Sequence, residues 1–188
     1  MSQQEGRKWK LRLSAYDEKW IMMYETEVQI LSAAFGNELL KFEHFGSTSV
    51  PEMKAKPVID MLGLVKDIQK IDEYNEEMEL LGYEAAGEWG IAGRRLFRKG
   101  GESRTHHLHV YQYDNPQIDR HLIVRDYLRK HYSNLKEELA RHYTHTSQYS
   151  KAKGAYVQEL EQRALNWFST KDGAEISNGK DLESETDK

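Results

Sequence analysis

The residues whose types and spacing can do chemistry fall in three short stretches. The first is "VIDMLGLV", residues 58–65, an apolar run interrupted by Asp60. A carboxylate in a strand otherwise kept for burial is costly unless it is paired, hydrogen-bonded or bound to a metal, so Asp60 needs a partner. A salt bridge to Lys56, Arg94, Arg95 or Arg98 is one answer. The turn just upstream suggests another, because Gly46, Ser47, Thr48 and Ser49 of "HFGSTS" offer backbone N–H groups and hydroxyls suited to an anion. A phosphate cradle beside a metal-binding carboxylate makes the two halves of a phosphoryl-transfer site. A Ser/Gly loop taken alone is more often only a turn.

The second stretch is "THHLHVY". Side chains alternate along a strand, so His107 and His109 project from one face while His106, Leu108 and Val110 project from the other. Leu108 and Val110 want the core. The two histidines would then stand together about 6 to 7 Å apart along the strand, near enough to share a metal ion or a phosphate. Two hydrogen-bonded surface histidines give the same pattern, and a carboxylate beside them, Asp60 or Glu88, would decide for ligation. The third stretch, "GEWGIAGRRLF", spaces Gly87, Gly90 and Gly93 at three-residue steps around Glu88 and Trp89 and leads into Arg94, Arg95 and Arg98. Such a loop lets backbone approach a ligand, and the arginines can hold phosphate oxygens or simply line an exposed hairpin.

The elements that must position these residues follow from periodicity. Trp20, Met23, Tyr24, Val28, Leu31 and Phe35 share one helical face from Tyr16 to Phe35, and Gly36 stops the helix. Residues 39–45 predict a short strand, 58–65 a central one, and Asp67 caps a helix running to about Leu81 ahead of Gly82. Residues 94–100 and 104–111 read as a hairpin around Gly100-Gly101. Helical patterns cover about 117–131, 134–145 and 148–169, and Arg125, Asp126 and Tyr127 reach the site if the first of these packs at the sheet edge. The fold expected is α+β, a small mixed sheet covered by helices, with a helical C-terminal half.

The 188 residues fit one domain, expected over 13–170, with an N-terminal extension at 1–12 and a disordered tail at 171–188. No leader or membrane span is evident, and a net charge of −4 argues against broad nucleic-acid affinity. The sequence has no cysteine, which removes disulfides and zinc-thiolate sites and is compatible with a cytoplasmic protein.

"HFGSTSVPEMKAKPVIDMLGLV", "YEAAGEWGIAGRRLFRKG", "THHLHVY", "LIVRDYLRKH" and "YSKAKGAYVQELEQRALNW", taken in order over about residues 13 to 168, resemble the GrpB family. That family is similar in fold to the nucleotidyltransferase superfamily, which places a Gly-Ser turn before an acidic strand. The resemblance implies that Gly46 and Ser47 form that turn and that Asp60 is the first carboxylate of the acidic pair. The second acid would stand at position 62, where this chain has Leu62, so the usual two-metal arrangement is not available. His107 and His109, similar to a histidine pair of GrpB proteins, would substitute as ligands and favour Zn²⁺ or Mn²⁺ over Mg²⁺. The family also usually has Gly-Leu where this chain has Glu52 and Met53. It occurs fused to kinases of dephospho-coenzyme A and beside acetyltransferase domains, which implies such a partner.

The expectation is therefore a nucleotidyltransferase-like enzyme acting on a nucleotide or other phosphorylated small molecule. Gly46 to Ser49, Lys56, Arg94 and Arg98 would hold phosphates. Asp60, His107 and His109 would hold a divalent metal, with Glu88 as a further ligand or base. The alternatives are a nucleotide- or phosphate-binding regulatory module without catalysis and a metal-assisted phosphoesterase.

Overall fold

The computed structural model describes residues 13–142 and 149–170. The expected extension at 1–12 and tail at 171–188 lie outside the described residues. Helix α1 spans Lys19–Phe35 and buries Trp20, Glu27, Leu31 and Phe35 along one side, ending at Gly36 with φ 48°. Strand β1, Leu39–Phe45, follows, then a single 3-10 turn at Ser47–Ser49 and strand β2, Ile59–Val65.

Asp67 does cap the next helical segment, its Oδ1 accepting the Gln69 N–H at 2.9 Å, but the segment is not one α-helix. It winds as 3-10 over Ile68–Tyr74 and becomes α-helical only as α2, Asn75–Leu80. Strand β3, Tyr83–Ala85, goes beyond the elements that periodicity predicts; it is short and pairs only along the edge of β4, Arg94–Lys99. Strand β5 is His106–Gln112. The predicted break near residue 132 does not occur: α3 runs unbroken over Gln117–His142, because neither glycine nor proline interrupts it. Helix α4 spans Tyr149–Phe168.

The sheet order is β1-β2-β5-β4-β3. Strands β2 and β5 run parallel and the other pairs antiparallel, so the sheet is mixed and the architecture is α+β. One face carries Phe42, Ile59, Met61, Val65, Leu108, Val110 and Phe97, packed against α1, Ile71 and Met78 in the main core. The other face carries Asp60, Leu62, His107, His109 and Tyr111. Part of it is covered by α3, where Ile118 meets Phe45, Leu62 and Tyr111. A second helical layer forms where Leu128, Tyr132 and Leu135 of α3 pack with Leu160 of α4 and Val50.

The loop at Glu52 keeps an unusual backbone. Glu52 adopts φ 63°, a left-handed conformation that glycine takes freely and that costs another L-residue about 1 kcal/mol. With glutamate where Gly-Leu is expected in "VPEMKAKP", this chain holds a non-glycine residue in a conformation that glycine takes freely.

Candidate metal and phosphate site

In-register pairing of β2 with β5 sets Asp60 beside His107 and Leu62 beside His109, all on the sheet face opposite the main core. The alternation expected of "HHLHVY" is observed: His106, Leu108 and Val110 are buried on the core side, and the intervening histidines face the other way. Asp60, His107 and His109 each bring one candidate ligand atom to within 4.8 Å of the others. Asp60 Oδ1 lies 3.3 Å from His107 Nδ1, and both side chains keep 29% exposure, so a ligand in solution can reach them.

His109 sits deeper. Burial, followed by the nearby charges of Arg94, His121 and His107, pushes its pKa down to about 3, which keeps the imidazole neutral. Arg94 Nη1 donates to His109 Nδ1 at 3.3 Å. An imidazole that accepts at Nδ1 carries its proton on Nε2 and has no lone pair left for a metal. Ligation by His109 therefore requires Arg94 to release it.

The turn before β2 is shaped around Asp60. Gly46 has φ 71° and ψ −173°, and a Cβ there would lie 2.6 Å from Asp60 Oδ2. Only glycine allows the backbone this close to the carboxylate. The three hydroxyls that follow differ in their use. Thr48 is buried, donating to the Val58 carbonyl at 3.3 Å and lying 3.0 Å from His44 Nε2. Ser49 donates to the Gly46 carbonyl at 2.7 Å. Those two hydroxyls hold the turn together, and Ser47 is left as the exposed one.

The glycine-rich loop is built around Arg94, which is buried and donates to the carbonyls of Glu88 and Trp89. Glu88 is exposed, and its Oε1 accepts the Gly93 N–H at 2.7 Å. The structure thus uses Glu88 to close the loop and does not bring it into the cluster of Asp60, His107 and His109. Arg98 faces His107 across the β4–β5 register, pairs with Glu84 and sets its guanidinium 4.3 Å from the Trp89 ring centroid. Lys56 is exposed and, with Gly101, Glu102 and Arg104, lines a cleft of about 350 Å³. Asp60 and the two histidines do not line that cleft. Its lining comes from the segments leading into β2 and β5, which the Ile59 N–H joins by donating to the Thr105 carbonyl at 2.8 Å.

Sequence reasoning missed His121. His121 lies on α3 with its ring 6.3 Å from that of His109 and 4.9 Å from that of Phe45. Its Nε2 is buried without a hydrogen-bond partner, and burial, then Arg120 and Arg94, lowers its pKa. No local signal marks it, because its importance depends on how α3 crosses the sheet. Helix α3 packs at the sheet edge, the condition for Arg125, Asp126 and Tyr127 to reach the site, and there Arg125 is taken up by β1 while Tyr127 packs in the second helical layer. Arg125 Nη1 donates to Glu43 at 2.6 Å and also reaches the His44 carbonyl, which makes this arginine a brace for β1. Leu62 is fully buried against Phe45, Tyr111 and Ile118, so the position that would hold a second carboxylate belongs to an apolar cluster.

Among described residues no helix is long and apolar enough to cross a membrane. Comparison with known proteins gives a consistent relationship. The chain is 43% identical to YqkA of Bacillus subtilis over 90% of its own length and 51% of that protein, so it spans about half of that relative. It is 34% identical to BH1888 of Halalkalibacterium halodurans, covering 82% of both chains. The crystal structure of the conserved protein GrpB from Enterococcus faecalis superposes with a TM-score of 0.74 at 41% identity, over 85% of this chain and 100% of that one. Residues 10–163 match the model of the GrpB protein family. With the Gly46 turn, the Asp60 strand and the His107–His109 pair all inside that span, the chain belongs to the GrpB family.

Proposed function

We propose that this protein carries out metal-dependent nucleotidyl or phosphoryl transfer on a nucleotide or another phosphorylated small molecule. The observation that carries the reading is the convergence of Asp60, His107 and His109, drawn from two parallel strands, to within 4.8 Å. One metal held about 2.0–2.2 Å from tetrahedral nitrogen and oxygen ligands needs those atoms about 3.4 Å apart, so the three side chains must draw inward slightly. Two imidazoles and one carboxylate suit Zn²⁺ or Mn²⁺ better than Mg²⁺. Such an ion would neutralise charge developing on the transferring phosphoryl group.

The protein's own groups supply the rest. Gly46 brings the backbone of the turn against Asp60, leaving Ser47 at the open rim. Arg94 leaves His109 when a phosphate offers it a better acceptor, freeing the imidazole as it binds the anion. Arg98 and Arg104, which share Glu84, leave one net positive charge, and Lys56 adds an exposed ammonium at the cleft lined by Arg104 and Glu102. With Leu62 apolar, a single metal serves this strand.

Isothermal titration with Zn²⁺, Mn²⁺ and Mg²⁺ tests the reading. Asp60→Asn is expected to weaken Zn²⁺ and Mn²⁺ binding at least about 100-fold while leaving the thermal unfolding midpoint close to wild type. Unchanged metal affinity in that variant would remove the site. Leu62 supports a second reading, a nucleotide- or phosphate-binding module that regulates a partner such as a kinase or acetyltransferase. Nucleotide binding with metal but without turnover decides for it.

A further inference from the structure

We propose that Trp89 is a stacking platform for the aromatic base of a nucleotide whose phosphates lie over Asp60, His107 and His109; this rests on the reading above and narrows its substrate from any phosphorylated small molecule to a nucleotide. Trp89 is 61% exposed, and neither packing nor local backbone asks for a large side chain there. Its φ is 44°, left-handed, between Gly87 at 57° and Gly90 at 79°, a conformation that favours glycine and disfavours tryptophan.

The backbone that carries the indole is nonetheless held in place. Arg94 donates to the Trp89 carbonyl at 3.0 Å and to the Glu88 carbonyl, while Glu88 closes the loop through the Gly93 N–H. Arg98 lies against one face of the ring. An exposed ring on a pinned backbone loses little freedom when a flat ligand stacks on it.

Its position identifies the ligand. Arg98, under the ring, is the cross-strand partner of His107, so the guanidinium that meets Trp89 rises from the same sheet face as the metal cluster, one strand over. The guanidinium of Arg94 touches both the Trp89 carbonyl and His109. Arg98 and Arg104 both pair with Glu84, which leaves that group one net positive charge, and Lys56 shares a cleft with Arg104 and Glu102. A planar group joined to a polyanion fits this arrangement, and a nucleoside polyphosphate is the small molecule that combines them. Stacking tolerates any base, because every base offers a π-face.

Titrations of ATP, GTP, CTP, UTP and inorganic tripolyphosphate, each with Mn²⁺, test the proposal. The nucleotides are expected to bind about ten-fold more tightly than tripolyphosphate. Trp89→Ala, which keeps the same backbone requirement, should bring them down to the tripolyphosphate level, and Trp89→Tyr should retain most of the difference. Equal binding of nucleotides and tripolyphosphate to the wild type overturns the stacking role and leaves the phosphate and metal reading standing. The stacking role falls equally if Trp89→Ala, still folded by circular dichroism, keeps the preference for nucleotides. Failure of every triphosphate to bind removes both.

Discussion

His106 and His107 are neighbours in sequence, as are Lys99 and Arg98 opposite them, yet the two pairs belong to different regions of the molecule. His106 and Lys99 face α1. There Glu27, 5% exposed, accepts from Lys99 Nζ at 2.7 Å and from the Tyr83 hydroxyl at 3.0 Å. His107 and Arg98 face the other way, where partners come from strands and loops and stay within reach of solvent. The same residue types occur on both faces. On the α1 face a helix supplies a counter-charge and closes the cluster, whereas on the other face the first turns of α3 cover Phe45, Leu62 and Tyr111 and leave Asp60 and His107 open. Whether a polar cluster serves structure or chemistry is decided here by what covers it.

The comparison breaks most readily at Glu27. Replacing it with alanine strands the Lys99 ammonium and the Tyr83 hydroxyl, at an expected cost of about 3 kcal/mol in urea unfolding, the lower part of the range for a buried pair. Lys99 retains 26% exposure, which moderates the loss. Zn²⁺ and Mn²⁺ affinity should not change. A loss under about 1 kcal/mol would mean that the α1-facing cluster is no more structural than the open one.

Much of this contrast is legible in the sequence, and the remainder depends on tertiary contacts. Strand β1 at 39–45 is expected and observed, the outward pair His107 and His109 follows from a period of two, and Asp60 is conspicuous because an apolar run surrounds it. Glu88, Thr48 and Ser49 show what local pattern omits. Each is a plausible ligand group by type, yet each commits its side-chain oxygen to nearby backbone: Glu88 to the Gly93 N–H, Ser49 to the Gly46 carbonyl, and Thr48 to the Val58 carbonyl at the start of the next strand. Strand β3 escapes a periodicity argument because three residues carry no period, and His121 escapes it because only the crossing of α3 places it near His109.

Gly46 offers a smaller perturbation that sharpens the contrast. Gly46→Ala puts a methyl 2.6 Å from Asp60 Oδ2, well inside contact distance, and holds alanine at φ 71°. Destabilisation of about 2 kcal/mol is expected, together with displacement of the Asp60 carboxylate and weaker metal binding. Asp60→Ala should relieve the crowding but not the backbone strain, so a double-mutant cycle should show coupling of at least about 0.5 kcal/mol. Strict additivity would mean that the turn and the carboxylate do not depend on each other.

The smallest expected effect concerns His44, which faces the core side of β1, stacks on Tyr24 of α1 with ring centroids 4.8 Å apart and braces the turn through Thr48. Burial, followed by the charges of Arg129, Arg125 and His106, lowers its pKa to about 4. In the unfolded chain the group titrates near ~6.5. Between those two values the unfolded chain binds a proton that the folded protein refuses, so stability is complete above about pH 6.5 and is lost as the pH falls toward 4. His106 and His121 also have lowered pKa values and add to the slope, which makes the difference between wild type and His44→Gln the informative quantity. Relative to its own value at pH 7, the wild type should lose about 1 kcal/mol more than His44→Gln by about pH 5.5. Parallel pH profiles would show that the brace under the Gly46 turn is insensitive to His44 protonation, and that α1 protects this part of the core face no better than the open face is protected.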